Sequence, residues 1–339
     1  MRRFLLILVI GVIMCGLWFR HALSPVDSTD TKEASFTVQS GQSIGIIAAN
    51  LKERGLIRSP LVFKWYARLT GVAGKLQAGS FAVSPSASSS EIIAILHSGK
   101  TQEFLITVPE GYTVADIDAL FAAKGLGEPG DIIACAFTCD FSSFDFLPPT
   151  GAQGGEEFKI GSKLEGYLFP ETYSVSPTDY VPKFALERML GTFRKRIVTE
   201  YAEDISKSGY TLHEVVTMAS LVEEESRHDE ERAQVAGILW KRLENAVVLG
   251  VDATTRYRLN KMREVLTKAD VEIQSAYNTR RTQGLPPSPI ANPSENSVIA
   301  ALKPTESQYW YYLHDNTGAI RYAVTNDEHN RNRAKYLGN

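Results

Sequence analysis

Apolar residues recur at helical spacing through Leu212, Val215, Val216, Met218, Ala219, Leu221 and Val222, and acids follow directly at Glu223, Glu224 and Glu225. At about 100° per residue, Glu223 falls between Leu212 and Val216 on that arc, and Glu225 between Met218 and Leu221. Glu224 points the opposite way. The pattern predicts a helix over 212–225 that turns two carboxylates toward its packed face. A carboxyl group in an apolar wall has its charged form disfavoured, so its pKa rises and it can hold a proton near neutral pH. A general acid requires that property. A solvated acidic turn, or two inward acids paired with arginines, would show the same spacing.

At the N-terminus, Arg2-Arg3 precede an uninterrupted apolar run from Phe4 to Phe19, followed by Arg20-His21. Continued through Ala22-Leu23 with Arg20 snorkelling, the run reaches the length of a spanning helix, about 17–25 residues. Ala22-Leu23-Ser24 makes a poor cleavage site, with Arg20 between it and the apolar run and Pro25 after it. Residues 1–24 are therefore expected to be an uncleaved anchor rather than a removed signal peptide. The double arginine puts the N-terminus in the cytoplasm and everything after about Ser24 outside it.

Residues 25–35, rich in Ser, Thr, Asp and Lys, suit a stalk. A small α+β unit is expected over 36–100. Phe36-Thr37-Val38 reads as a strand, Ser43 to Arg54 as an amphipathic helix with Ile44, Ile47, Ala48 and Leu51 on one face, and Ser59-Pro60 as the start of a second helix. Gly79 to Val83 reads as a strand, and Ser90 as the cap of a helix over Glu91 to His97. Residues 101–339 are expected to form a larger mixed helical and β domain. Its predicted elements are a strand over 104–108, a helix capped by Thr113, and helices over 181–201, 212–225 and 230–245. A stiff loop from Gly284 to Ile290 is suited to shaping a groove, and an aromatic hairpin turns around Asn316-Thr317-Gly318. The fold class is α+β.

Composition narrows the chemistry. The 339 residues are 44% hydrophobic and 22% charged, as in ordinary globular chains, and the net charge of −3 with pI near 6.1 gives no footprint for nucleic acid. There is no Gly-x-Ser-x-Gly elbow, no Gly-rich phosphate cradle and no histidine pair at metal spacing, so neither metal nor cofactor is expected. Cys135 and Cys139 form a disulfide or stay as two buried thiols. What remains is carboxylates, aromatics and hydrogen-bonding side chains, the usual equipment for glycan chemistry. The candidates are Glu165, Glu171, Asp252, the Tyr277-Asn278-Thr279 run and the polar cluster ending in His329-Asn330.

Taken in order, Glu165-Gly166-Tyr167-Leu168-Phe169-Pro170-Glu171-Thr172-Tyr173, Ala219-Ser220-Leu221-Val222-Glu223-Glu224-Glu225, Tyr277-Asn278-Thr279, Gly284 to Ile290 and the Tyr-rich hairpin with His329-Asn330 make a more specific pattern. The chain resembles the endolytic murein transglycosylases of the YceG-like family, from about Phe36 to Tyr336. The resemblance implies Glu225 as the catalytic acid, with Ser226 in the Glu-Ser pair common among lytic transglycosylases. It makes Glu223 a structural or neighbouring acid and the 36–100 unit LysM-like. Glu223, Ser226, Asp252, Tyr277, Asn278, Glu171 and Asn330 are the expected substrate-side residues. The chain departs from the family pattern at Asp252-Ala253-Thr254-Thr255-Arg256-Tyr257, where Asp-Pro-Thr and an apolar pair before the Tyr are usual.

The implied activity is cleavage of the bond between N-acetylmuramic acid and N-acetylglucosamine in nascent peptidoglycan strands, leaving a 1,6-anhydro end and terminating elongation. The implied partners are those strands, the membrane through the N-terminal helix, and cell-wall synthases, with no nucleic acid. Two alternatives stand beside it. One is a two-carboxylate hydrolase using Glu225 as acid and Asp252 as base, and the other is a non-catalytic glycan-binding scaffold for the synthases.

Overall fold

The computed structural model describes residues 2–39, 41–98, 104–148, 163–177 and 180–338. Two units emerge, Met1–Leu105 with Ser174–Tyr180, and Ile106–Tyr173 with Val181–Asn339. In the first, helix α1 (Arg2–Leu23) leads to strand β1 (Ala34–Val38), then α2 (Ile44–Glu53), α3 (Pro60–Leu69), strand β2 (Gly79–Val83) and α4 (Ser89–Ser98). Ser43 and Ser59 accept the N–H groups of Ile46 and Val62, so α2 and α3 start where their caps lie in the sequence. The antiparallel β1–β2 pair sets Phe36 opposite Phe81. Both rings are buried with Leu51, Phe63, Ile92 and Leu96 in one core.

Three features of this unit differ from expectation. The cap of α4 is Ser88 rather than Ser90. Ser88 Oγ accepts the Glu91 N–H at 3.2 Å while Glu91 Oε2 accepts the Ser88 N–H at 2.7 Å. That reciprocal box requires the Glu at the third helical position, which fixes the Ser three residues before it. The 25–35 segment is not a free stalk, because Arg58 donates to the Pro25 and Val26 carbonyls at 2.9 and 3.0 Å. Asp27 and Asp30 also bond through their backbones to Pro85 and Ser86. Finally, among the described residues no helix is long and apolar enough to cross a membrane. The expected spanning helix thus has no support there, although α1 leaves Val12, Ile13, Met14, Leu17 and Trp18 exposed.

The second unit begins within strand β3 (Phe104–Thr107) and continues through α5 (Val114–Ala123), α6 (Asp131–Thr138), strand β4 (Thr172–Val175), α7 (Pro182–Phe193) and a π-helical segment, Arg194–Thr199. Next come α8 (Ala202–Ser208), α9 (Leu212–Glu225), α10 (Asp229–Glu244), α11 (Asp252–Arg258), α12 (Lys268–Val271), α13 (Glu295–Leu302), the hairpin β5 (Tyr311–His314) and β6 (Ile320–Ala323), and α14 (Asn326–Leu337). Cys135 and Cys139 are joined in a disulfide at the end of α6.

Helix α9 is the spine of this unit. A Thr211–Glu214 capping box starts it, and every side chain from Val215 to Val222 is buried. The proline loop does not wall a groove. It is largely buried, with Ile290 N–H donating to Ser220 Oγ at 3.1 Å and Ser288 Oγ 2.7 Å from the Tyr277 hydroxyl. Gly166, at φ +88°, lets the 163–169 turn close on that loop, since a Cβ there would lie 2.5 Å from the Pro289 ring.

Gly237 on α10 has the tightest contact, because a Cβ would stand 1.9 Å from the Thr305 carbonyl oxygen. Gly191 in α7 meets nothing within 4 Å. Gly237→Ala should therefore destabilise the chain by about 1–3 kcal/mol, and Gly191→Ala should stabilise it by about 0.5–1 kcal/mol. Opposite shifts in thermal midpoint are the expected outcome, and equal shifts would refute this packing.

Candidate active site

Two acids two residues apart meet different fates at the end of α9. Glu223 Oε2 accepts the Ser294 N–H at 2.9 Å, the Ser294 hydroxyl at 2.6 Å, the Ser297 hydroxyl at 2.7 Å and Arg232 Nη1 at 3.0 Å. Both charged side chains are only 9% exposed. Arg232 also bonds Asp229 and Ser297, so one carboxylate ties α9 to α10 and to the start of α13. Its Oε2 is engaged in structure, and Glu223 is absent from the lining of the polar cavity that Glu225 faces.

Glu225, the last residue of α9, is half-buried and lines a polar cavity of about 530 Å³. Its Oε2 accepts the Tyr312 hydroxyl at 2.9 Å. Burial pushes its pKa up to about 7; Asp252 adds to the rise, and the Tyr312 bond, Arg256 and Arg242 oppose it. The negative end of the helix dipole also disfavours a carboxylate at this position. Ser226 closes the helix with its N–H on the Val222 carbonyl, and its buried hydroxyl has no partner among the described residues.

Glu224 departs from the helical-wheel expectation of an outward, solvated acid. It is half-buried, and its pKa is pushed up to about 7, first by burial and then by Glu223 and Glu225. The cause is a loop remote in sequence. Gly111 N–H donates to the Asn292 carbonyl, Asn292 donates back to Tyr112 O, and the loop so held brings Gly111 over the Glu224 carboxyl.

The remaining cavity wall comes from three places. Asp252 opens α11 and is gripped at both oxygens by Arg280 through Nε and Nη2. Arg242 of α10 donates to the Trp310 and Leu249 carbonyls at 2.7 and 2.6 Å and lies 5.1 Å from the Tyr311 ring centre. From α14, Asn326, His329, Asn330 and Arg333 face the cavity, at the three- and four-residue spacing of one helix face. His329 stacks on Tyr311 at 5.3 Å. Burial pushes its pKa down, and Arg333 and Arg242 push it further, which favours the neutral imidazole.

Of the residues singled out in the sequence, Glu225, Asp252 and Asn330 meet at this cavity and Glu223 braces it. Tyr277 and Asn278 do not reach it, because both are fully buried. Asn278 Nδ2 donates to the Val271 and Ile273 carbonyls at 3.0 and 2.8 Å, while its Oδ1 accepts the Arg280 N–H at 3.3 Å. These residues shape the turn that presents Arg280. Glu171 lies outside the lining, 3.8 Å from Arg196. Glu165 is buried elsewhere, accepting the Val114 N–H and the Tyr257 hydroxyl, and burial pushes its pKa up to about 8. Tyr312, Arg242, Arg280 and Arg333 were not singled out. Of these, Tyr312 had a signal, its place in the aromatic run Tyr309-Trp310-Tyr311-Tyr312 of the expected hairpin.

A half-buried acid at the end of a core helix, opening on a polar cavity, defines a site for proton transfer to a polar ligand. A family model described as YceG-like family matches residues 36–335, and the chain belongs to that family. It is 32% identical to the endolytic murein transglycosylase of Bacillus subtilis strain 168, across 95% of this chain and 89% of that one. It is 28% identical to the endolytic murein transglycosylase of Streptococcus pneumoniae strain D39, matching 98% of this chain but only 64% of the relative's length. A crystal structure of a yceG-like protein from Listeria monocytogenes superposes with a TM-score of 0.60 at 27% identity, covering 88% of this chain and 98% of that one.

Two outcomes follow from the geometry. Tyr312→Phe removes the donor that favours ionised Glu225, so the Glu225 carboxyl should titrate at higher pH in a carbon-13 NMR titration; an unchanged or lower midpoint would contradict the assigned bond. Glu223→Gln removes the charged acceptor shared by Ser294, Ser297 and Arg232, leaving buried Arg232 only the exposed Asp229 as an ion-pair partner, and should cost about 3 kcal/mol in denaturant unfolding. A loss within 0.5 kcal/mol would mean that the clamp is not structural.

Proposed function

We propose that the chain is an endolytic lytic transglycosylase of peptidoglycan, cleaving between N-acetylmuramic acid and N-acetylglucosamine with Glu225 as its acid. The names of its relatives support the substrate. The observation that carries the mechanism is that Glu225, the cavity carboxyl whose burial favours its protonated form, stands beside a second acid, Asp252, that is already gripped by Arg280. Protonated Glu225 donates to the glycosidic oxygen as that bond to the anomeric carbon breaks. Positive character then develops at the anomeric carbon, where the substrate's own 2-acetamido group shields it. Glu225, now a carboxylate, takes the proton of the C6 hydroxyl, whose oxygen closes on the anomeric carbon as a 1,6-anhydro ring. No water is consumed, so one carboxyl suffices where a hydrolase usually needs two.

Tyr312 holds the Glu225 carboxyl in place between the two transfers, and Asn330 and His329 are suited to bonding sugar hydroxyls and amides. Anchoring by the N-terminal helix with the chain after about Ser24 outside the cytoplasm belongs to the same proposal, as do a LysM-like segment over 36–100, synthase partners and termination of elongation. The arginine pair ahead of the apolar run and the exposed apolar side chains of α1 support the anchor. A hydrolase using Asp252 as its base is less well supported, since the Arg280 pair keeps that carboxylate from activating water.

Mass spectrometry of strand ends is the deciding experiment. Uncrosslinked peptidoglycan incubated with the chain should yield anhydro ends, and Glu225→Gln should lower their rate at least 100-fold without loss of fold. Since the protonated acid is the active form, the rate should fall as pH rises through about 7. Reducing ends would replace this reading with the hydrolase, and intact strands with the scaffold.

A further inference from the structure

The charges of the cavity do not balance. Its lining holds two acids, Glu225 and Asp252, and three arginines, Arg242, Arg280 and Arg333. Arg280 is neutralised by Asp252. Arg242 directs Nε and Nη1 at backbone carbonyls, which orient its guanidinium but carry no charge. Arg333 is exposed, and neither it nor Arg242 forms an ion pair among the described residues. When Glu225 carries the proton that its role as an acid requires, these two cations are left without a counter-charge.

The groups around them are arranged to receive an anion. His329 lines the same cavity, and its Nδ1 is buried with no partner among the described residues. Asn326 and Asn330, on the same face of α14, add amide donors one and two turns before Arg333. An arginine kept only for solubility would have no reason to share a face with the cavity-lining residues of a helix. We propose that Arg333 and Arg242 form a carboxylate subsite, so that the preferred glycan is one whose muramic side group carries negative charge.

The proposal rests on the transglycosylase reading of the cavity and names the form of substrate it takes. Muramic acid offers a carboxylate from two sources, the free lactyl acid of a strand stripped of peptide or the acidic residues of an attached stem peptide. Arginine recognises both by the same charge-assisted, forked hydrogen bonds.

The test is calorimetric binding to the full chain carrying Glu225→Gln, which removes turnover. The probes are tetrasaccharides of alternating N-acetylglucosamine and N-acetylmuramic acid with lactyl carboxylates free, converted to carboxamides, or bearing stem peptides. At least one anionic probe should bind about tenfold more tightly than the carboxamide, and Arg333→Gln should erase that preference. Raising sodium chloride on the chain with Arg333 intact should narrow it too, which keeps the proposal testable if the variant fails to fold. Tighter binding of the free acid assigns the subsite to the lactyl group, and tighter binding of the peptide-bearing probe assigns it to the stem peptide. Equal affinity for charged and neutral probes, or a preference that survives Arg333→Gln or high salt, overturns the subsite. Anhydro ends released by the chain with Glu225 intact report the function separately, so their presence with no charge preference would overturn the subsite alone.

Discussion

Glu223 places a carboxylate where α9, α10 and α13 meet, and the aim of Glu225 two residues later depends on it. A buried charge is tolerated only when its lone pairs are filled, and here serine groups of the α13 start and one arginine of α10 fill them. A pair of this kind is weak evidence for stability, since apolar side chains of similar volume would pack as well. It does fix geometry, because its bonds are directional and reach three helices at once. The end of α9 is thereby held in rotation and along its axis, which determines which way Glu225 leaves the helix.

The contrast between Glu223 and Glu225 shows how one helix assigns opposite roles to neighbouring acids. Glu223 Oε2 meets four donors, from Ser294, Ser297 and Arg232, and serves as an ion-pair partner. Glu225 meets one phenol, the negative end of a helix dipole and the field of Asp252, so burial prevails and the proton stays near neutrality. Such divergence between close carboxyl groups arises from their partners, which come from α10, α13 and the hairpin.

Local signals carried far in this sequence. Ser59 and Thr113 marked the starts of α3 and α5, apolar periods placed α2 and α9 within a residue or two of their observed starts, and Asn316-Thr317-Gly318 placed the turn of the hairpin. The carboxylate on the packed arc was legible because it breaks an apolar period. Three things were not. Glu224 looked solvated, since no helical wheel shows that the Gly111 loop will cover it. Tyr277 and Asn278 looked suited to a sugar because amides and hydroxyls serve substrates and turns equally well, and here the turn takes them all. Helix α14 read as a polar cluster rather than a helix, because it has no fully buried residue and thus no apolar period to detect.

The position of Asp252 bears most directly on how the cavity works. Its charge raises the pKa of Glu225, while Arg242 and Arg256 lower it, so the acid is set by a balance of fields rather than by burial alone. Arg280 holds Asp252 at both oxygens, and the Arg280 backbone is itself held by Asn278, a residue that touches no part of the cavity. An arginine that frees Asp252 would give the cavity a second base and admit water as nucleophile; one that grips it leaves a fixed negative charge and a single proton donor. The structure has the second arrangement. That arrangement suits a reaction in which the substrate's own hydroxyl, and no water, completes the displacement.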